Sequence, residues 1–417
     1  MIRRALTNTG WLMGARGINA VLSLVYLAIA TRVLGLDRFG QFVIAFSFAQ
    51  IVVGFASFQT WQSIIRWGQD IEGRKTVTGF ALALDAVTIV VGTTVSGLLL
   101  AFAGDWLPIP EPQRMATFIF TVVSLVSIRS TPTGLLRLHD RYARAAAADA
   151  TTSMVRVIGA LFITVVTPSI QSFLIVWALA ELATAAMYWR MAATTEPIHW
   201  RRFSLTRLPS ERRAAGEKSW SFVIGTSLTG TLTVASRQLM VLLVGTLGGP
   251  ALAGIYRVAS QLGEGLLKLA QALLRATYPE LVREPDKAKA IAAQITRIAI
   301  ITGAAVIVVA LLAGQWVIMA VAGGAYLAAY IPMVLLAAAA ALELAGASLE
   351  ALLVARGKAI TNFLLRGIPT FIAIGALPWL VEWWGATGAA LAVLAASAVS
   401  VTGFVIATRE SQKEQSN

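Results

Sequence analysis

Six polar side chains fall on one stripe of an otherwise apolar segment: Arg257, Gln261, Glu264, Lys268, Gln271 and Arg275. Their spacings alternate between four and three, the repeat that keeps side chains on one face of an α-helix. Arginine's planar fork matches pairs of phosphate or carboxylate oxygens, lysine adds a point charge, and amides suit hydroxyl-rich ligands. Glu264 and Lys268 stand four apart in the order that favours mutual pairing, which leaves Arg257 and Arg275 as the cations at either end. Three further sets have the same chemistry: Arg16 with Asn19 and Ser23, Arg237 with Gln238, and Gln59, Gln62 and Arg66 behind Gln50 and Ser57. Arg16, Asn19, Gln59, Gln62, Arg66, Arg237, Gln238, Arg257, Gln261, Glu264 and Lys268 are the candidate substrate-binding residues.

A second class of residue could carry ions. Asp85, Glu181, Glu343 and Glu350 all lie inside apolar segments, where an ionisable group is costly unless it is paired or used. They are candidates for proton or sodium coupling, with structural ion pairing as the alternative use. Asp149 and Arg156, seven apart on one face, are expected to pair with each other or across helices. Lys358, Asn362 and Arg366 form a basic stripe near a segment end, suited to a lipid carrier or to snorkelling. There is no cysteine, and His139 and His199 sit in arginine-rich surroundings. No HExxH, P-loop or GxSxG pattern occurs. Neither catalytic residues nor a metal or cofactor are expected.

The elements that must position these groups are membrane spans. Hydrophobic residues make up 57% of the chain and charged residues 13%. Apolar runs of about 20 residues or more, each long enough for a hydrocarbon core of about 30 Å, recur from end to end. The reading is an all-α polytopic membrane protein with twelve spans, near 8–33, 41–65, 79–103, 115–136, 145–167, 170–190, 219–247, 252–281, 291–320, 328–355, 359–381 and 386–408. The first is expected to remain as a span and not be cleaved, because Arg16 interrupts its apolar run. A six-helix lobe over 1–190, a basic connector over 191–218, a second six-helix lobe over 219–408 and a tail over 409–417 complete the division.

Of the 34 Lys and Arg residues, 23 fall in alternate connections beginning with the N-terminus or in the span ends that flank them, and three fall in or beside the others. The positive-inside rule therefore puts both termini in the cytoplasm. The net charge of +13 is accordingly a topology signal with affinity for anionic lipid head groups, and no nucleic-acid module accompanies it. An internal repeat is visible as well. Leu34-Gly35, a short turn and Phe39-Gly40-Gln41-Phe42 are echoed by Leu247-Gly248-Gly249 and Ala253-Gly254-Ile255-Tyr256 half a chain later.

At this hairpin the sequence resembles the polysaccharide-biosynthesis flippases of the multidrug/oligosaccharidyl-lipid/polysaccharide exporter superfamily. The carrying residues are Asn8-Thr9-Gly10-Trp11, then Arg32-Val33-Leu34-Gly35 with Phe39-Gly40-Gln41-Phe42, and the echo from Gly248 to Tyr256. The resemblance implies two six-helix lobes around a central cavity, lined chiefly by the first two helices of each lobe. It implies alternating access and a polyprenyl-diphosphate-linked oligosaccharide as cargo, moved from the inner to the outer leaflet for lipopolysaccharide, capsule or exopolysaccharide assembly. Membrane lipids and other polysaccharide-assembly membrane proteins are the further expected partners, and the bacterial inner membrane is the expected location. The alternatives are a drug/cation antiporter of the same superfamily and a membrane-embedded glycan polymerase or ligase. Outer loops of about ten residues at most count against the latter.

Overall fold

The structure is a computed structural model. It describes the backbone of all residues except 1, 199–201, 215, 217–218, 282–287, 356–358 and 417. Side chains are further left aside at 2–16, 213, 229–230, 232–235, 264, 266–281, 288–295, 348, 351–352, 354–355, 359–360 and 409–416. Everything below concerns the described residues. The helices in chain order are α1 (Ile2–Ala56), α2 (Thr60–Trp67), α3 (Ile71–Phe102), α4 (Glu111–Val126), α5 (Ser130–Leu138), α6 (Tyr142–Val166), α7 (Ile170–Ala193), α8 (Arg207–Ala214), α9 (Ser219–Leu281), α10 (Ala288–Val321), α11 (Tyr330–Ala355) and α12 (Ala359–Ser416). No strand occurs among them.

Nine stretches are long and apolar enough to cross a membrane. Two of these, Gly17–Trp67 with 51 residues and Thr361–Thr408 with 48, would exceed 70 Å as single rods at about 1.5 Å per residue. Each is two passes. Gly35 breaks α1 with φ of 70°, Gly249 breaks the 63-residue α9 with φ of 83°, and Gly385 breaks α12 with φ of 55°. Left-handed backbone of this kind is open to glycine at little cost. With the three breaks counted, the passes number twelve, and the all-α polytopic reading of the sequence is what the chain adopts. Large apolar side chains such as Phe162, Leu312, Trp316, Phe371 and Trp383 are exposed, as expected where the solvent is lipid.

Two compact units emerge from the contacts. The first comprises Met1–Leu34 and Gln41–Leu242; the second comprises Gly35–Gly40 and Leu243–Asn417. The first is held by edge-on aromatics, with Trp177 against Tyr26, Phe42 and Phe46 at centroid separations of 5.6, 5.8 and 4.2 Å. Another apolar core joins Trp67, Phe80, Leu84, Leu136, Tyr188 and Leu208 from α2, α3, α5, α7 and α8. In the second unit, Tyr326 packs edge-on to Phe39 and donates its hydroxyl to the Gly35 carbonyl at 3.1 Å.

The two turns of the internal repeat meet in that second unit. A Cβ at Gly40 would overlap the Pro250 carbonyl, and one at Gly254 would lie 3.2 Å from the Leu36 carbonyl oxygen. Each contact glycine stands five residues after its break glycine, and each faces the carbonyl that follows the other break. The match is reciprocal.

Spans two and four depart from the continuous helices expected. Residues 57–59 separate α1 from α2, and residues 127–129 separate α4 from α5. A break inside a membrane leaves backbone groups that must find partners within the protein. At 127–129 local bonds do this, with Ser127 N–H and Oγ both donating to the Val123 carbonyl; at 57–59 hydroxyls from neighbouring helices supply them. Gln59 N–H donates to Ser227 Oγ at 3.1 Å and Trp61 N–H donates to Ser130 Oγ at 3.2 Å. Thr231 and Thr88 hydroxyls donate to the Gly54 and Ala56 carbonyls at 2.7 and 2.8 Å.

Candidate functional site

Three polar clusters at membrane depth come out of this fold. The first runs along spans two and seven, both in the first unit. Ser47 Oγ donates to Gln238 Oε1 at 3.1 Å, Thr231 meets Gly54, and Ser227 meets Gln59. As the residue number rises on span two it falls on span seven, so the two passes run antiparallel along a polar seam. Gln59 sits in the break itself and accepts from Trp61 Nε1 at 2.8 Å; Gln62 follows it, half-buried. At the end of the seam Arg66 is exposed, with its guanidinium 4.5 Å from the Phe222 ring centre and 5.5 Å from that of Trp67. Aromatic faces hold a cation there without neutralising it. Arg237 is exposed one residue before Gln238.

The second cluster is ionic and lies among α5, α6 and α7. Glu181 takes Arg129 at 2.7 Å through one oxygen and Arg156 at 2.8 Å through the other. Arg156 also lies flat on Trp177, 3.5 Å from its ring centre. Tyr188 donates to Asp149 at 2.9 Å. Asp149 and Arg156, expected as a pair or as cross-helix partners, both bond across helices. Glu181, a candidate for ion coupling, forms a two-armed clamp.

The third cluster is in the second unit, where α11 and α12 pack. Arg366 reaches both oxygens of Glu350 at 3.1 Å and lies 3.7 Å from Glu343. Asn362 donates to Glu350 at 3.2 Å and Ser397 donates to Glu343 at 3.1 Å. Asn362 Oδ1 is buried and accepts no hydrogen bond among the described residues. Asn362 and Arg366 of the expected basic stripe and two of the expected acids, Glu343 and Glu350, are therefore one site.

Asp85, on α3, stands apart from all three. It is 7% exposed and accepts from Thr131 Oγ1 at 2.6 Å and Thr60 Oγ1 at 3.5 Å. Both threonines lie in the first turns of helices that begin at the two breaks.

The remaining candidates divide between the units. Asn19 is half-buried in the first unit, and its Oδ1 is buried without a partner among the described residues. Arg257 and Gln261 are half-buried in the second. The side chains of Arg16, Glu264, Lys268 and Lys358 lie outside the described residues, as do those of Gln271 and Arg275. Thr60, Thr131, Ser227, Thr231 and Ser397 escape a reading of the sequence. Serine and threonine are common in apolar helices, and only the packing distinguishes those that close a break. Span two did carry a signal, in the closely set Ser57, Gln59 and Gln62.

Comparison with known proteins agrees with this architecture. Residues 5–284 match the family described as Polysaccharide biosynthesis protein. The chain is 28% identical to Inner membrane protein YghQ of Escherichia coli (strain K12) over 290 residues, covering 67% of this chain and 81% of that protein. Among solved structures it is similar to the lipid II flippase MurJ in an inward closed conformation, with a TM-score of 0.72 and 11% identity over 95% of this chain and 87% of that one. It is also similar to an inward-facing multidrug resistance MATE family transporter of the MOP superfamily, with a TM-score of 0.69 and 17% identity over 94% and 96%. At those identities the likeness is one of fold, whereas the family match spans more than half the chain: this multi-pass membrane protein belongs to the polysaccharide biosynthesis protein family.

Proposed function

We propose that the chain is a flippase that moves a lipid-diphosphate-linked oligosaccharide from the inner to the outer leaflet of the bacterial inner membrane. One observation carries the reading: a member of this family devotes the interior of its spans to amides, hydroxyls and arginines. Closing the helix break accounts for several of the hydroxyls and the Glu181 clamp for two arginines; the amides and the exposed Arg66 and Arg237 add only modestly to a membrane helix pair and suit a polar, anionic ligand. The amides and hydroxyls of the seam between spans two and seven suit sugar. Arg237 and Arg257, with Arg16 and Lys268, suit the diphosphate, whose oxygens accept the arginine fork. The seam ends at Arg66 on its aromatic shelf, a cation placed where an anionic head group would first meet the protein. Movement then requires no covalent chemistry, only a change of access between states that bind the head group differently.

The test is translocation in proteoliposomes holding the purified protein and a fluorescent polyprenyl-diphosphate sugar, scored by a membrane-impermeant quencher. Protein-dependent loss of protection is expected. Arg237→Ala and Arg257→Ala should each abolish it at unchanged protein level. No flipping with a glycan made by the host's own pathway, together with efflux of organic cations, would place the protein with the drug antiporters instead.

A further inference from the structure

The clusters described so far leave one ionisable group unused. Asp85 lies fourteen residues into α3, about 21 Å along the helix at 1.5 Å per residue. It is almost fully buried, yet its described partners are two hydroxyls and the Thr131 backbone N–H, and no cation. We propose that Asp85 is an intramembrane proton-binding site, shared by the interrupted spans two and four and opened or tightened by its own protonation.

The geometry supports this in three ways. First, both protonation states can be satisfied in place. The carboxylate accepts from Thr60 and Thr131; when hydronium gives its proton to an oxygen of Asp85 and leaves as water, the new O–H donates and a hydroxyl turns to accept. One O–H bond of hydronium breaks, one forms on Asp85, and no bond within the protein is made or broken except hydrogen bonds. Second, the charge has structural leverage. Gln59 and Arg129 stand at the N-caps of α2 and α5, and neither side chain makes a cap hydrogen bond. Asp85 holds the first turns of both helices from a third, and a negative charge there is favoured by two helix N-termini at once. Neutralising it loosens α2, α3 and α5 from one another at the breaks.

Third, the nearby charges are engaged elsewhere. On α3 itself Arg74 pairs with Glu196 and Lys75 with Glu72. On α5, Arg137 sits over the Trp61 ring at 4.3 Å, and Arg129 at its cap is held by Glu181. On α2, Arg66 lies on Phe222. On α8, Arg207 pairs with Glu211, and Arg212 faces Trp67. On α4, Glu111 opens the helix and Arg114 binds Asp105. On span seven, Arg237 is ten residues beyond Ser227, about 15 Å along the helix. Ser63, one turn after Thr60 and fully buried, keeps a hydroxyl with no partner among the described residues. It is an unused donor and acceptor on the same face of α2 as Thr60.

Infrared difference spectroscopy of the full chain in lipid nanodiscs, titrated with acid and base, reads the site directly. A protonated-carboxyl carbonyl band is expected to appear and vanish between about pH 4 and 9, to shift when aspartate is isotope-labelled, and to be absent in Asp85→Asn. Thr131→Val should move the midpoint of the same band. It keeps the falsifying arm available should Asp85→Asn fail to fold. A band that does not titrate, or one indifferent to both substitutions, overturns the proposal. The readout requires no cargo, so its failure leaves the flippase reading standing, and failure of flipping leaves this one standing.

Discussion

Glu181 holds two arginines, and removing its charge should be among the most damaging single-atom changes available to this protein. Glu181→Gln replaces one oxygen by nitrogen and leaves Arg129 and Arg156, now 2.7 and 2.8 Å from a neutral amide, without their counter-charge. Breaking a buried ion pair by removing one partner costs about 3–5 kcal/mol. The lower part of that range applies, because the Arg129 side chain is 33% exposed and also feels Asp149. At about 2–4 °C per kcal/mol for a unit of this size, the thermal midpoint in detergent should fall by about 10 °C. The second arm is Glu181→Gln with Arg156→Met. Methionine keeps the stem packed near Trp177 and removes the stranded charge, so at least half of the lost stability should return. A melting series of wild type, the single variants and the double variant decides the matter. If Glu181→Gln melts within about 2 °C of wild type, or if the double variant is worse than the single, the clamp is not what holds α5, α6 and α7 together.

Three other outcomes can be checked with simple variants. The chain has no cysteine, so Ser47→Cys with Gln238→Cys can be bridged without background; the bridge should stop flipping and a reductant should return it to the level of the two single variants, and transport through a bridged seam would show that spans two and seven need not part. Gly40→Ala should cut folded yield far more than Gly254→Ala, because only the former drives a Cβ into the backbone carbonyl of Pro250; equal yields would remove the close approach from the account. Asp70 caps α3 by accepting from Gly73 N–H at 2.8 Å, and that bond holds its carboxyl below the usual carboxylate range. Its contribution is present above the ordinary range and is lost as pH falls through the lowered value, so the melting difference between wild type and Asp70→Ala should shrink in acid; a pH-independent difference would refute the cap.

The fold was legible because membrane spans announce themselves by length and composition. Twelve runs and a lopsided distribution of Lys and Arg are properties of the chain alone, and the glycine turns at Gly35 and Gly249 were visible as an echo before any backbone angle was known. The polar interior was legible only in part. Arg237, Arg257 and the acids stood out because charge at membrane depth is rare. Their grouping did not, since Arg366 and Glu343 are 23 residues apart in sequence and only the packing of α11 on α12 brings them together. The breaks in spans two and four were harder still. Nothing in its residue types marks Ser127-Ile128-Arg129 as non-helical, and the hydroxyls on other helices that satisfy the strays around 57–59 are ordinary residues until their neighbours are known.

The reciprocal packing of the two repeat turns has a consequence for how this chain can change in length. Surface turns ordinarily absorb insertions at little cost, because their backbone answers to nothing beyond the two elements they join. Here Gly40 is seated against the carbonyl of Pro250 and Gly254 against that of Leu36, with the same count of residues from break to contact in each. An added residue in either turn would carry one glycine out of register with the carbonyl it faces while leaving the other in place. The two turns are thus a matched pair of rulers: a change of length in one is tolerated only with the same change in the other, so paired insertions at 35–40 and 249–254 should fold where either alone does not.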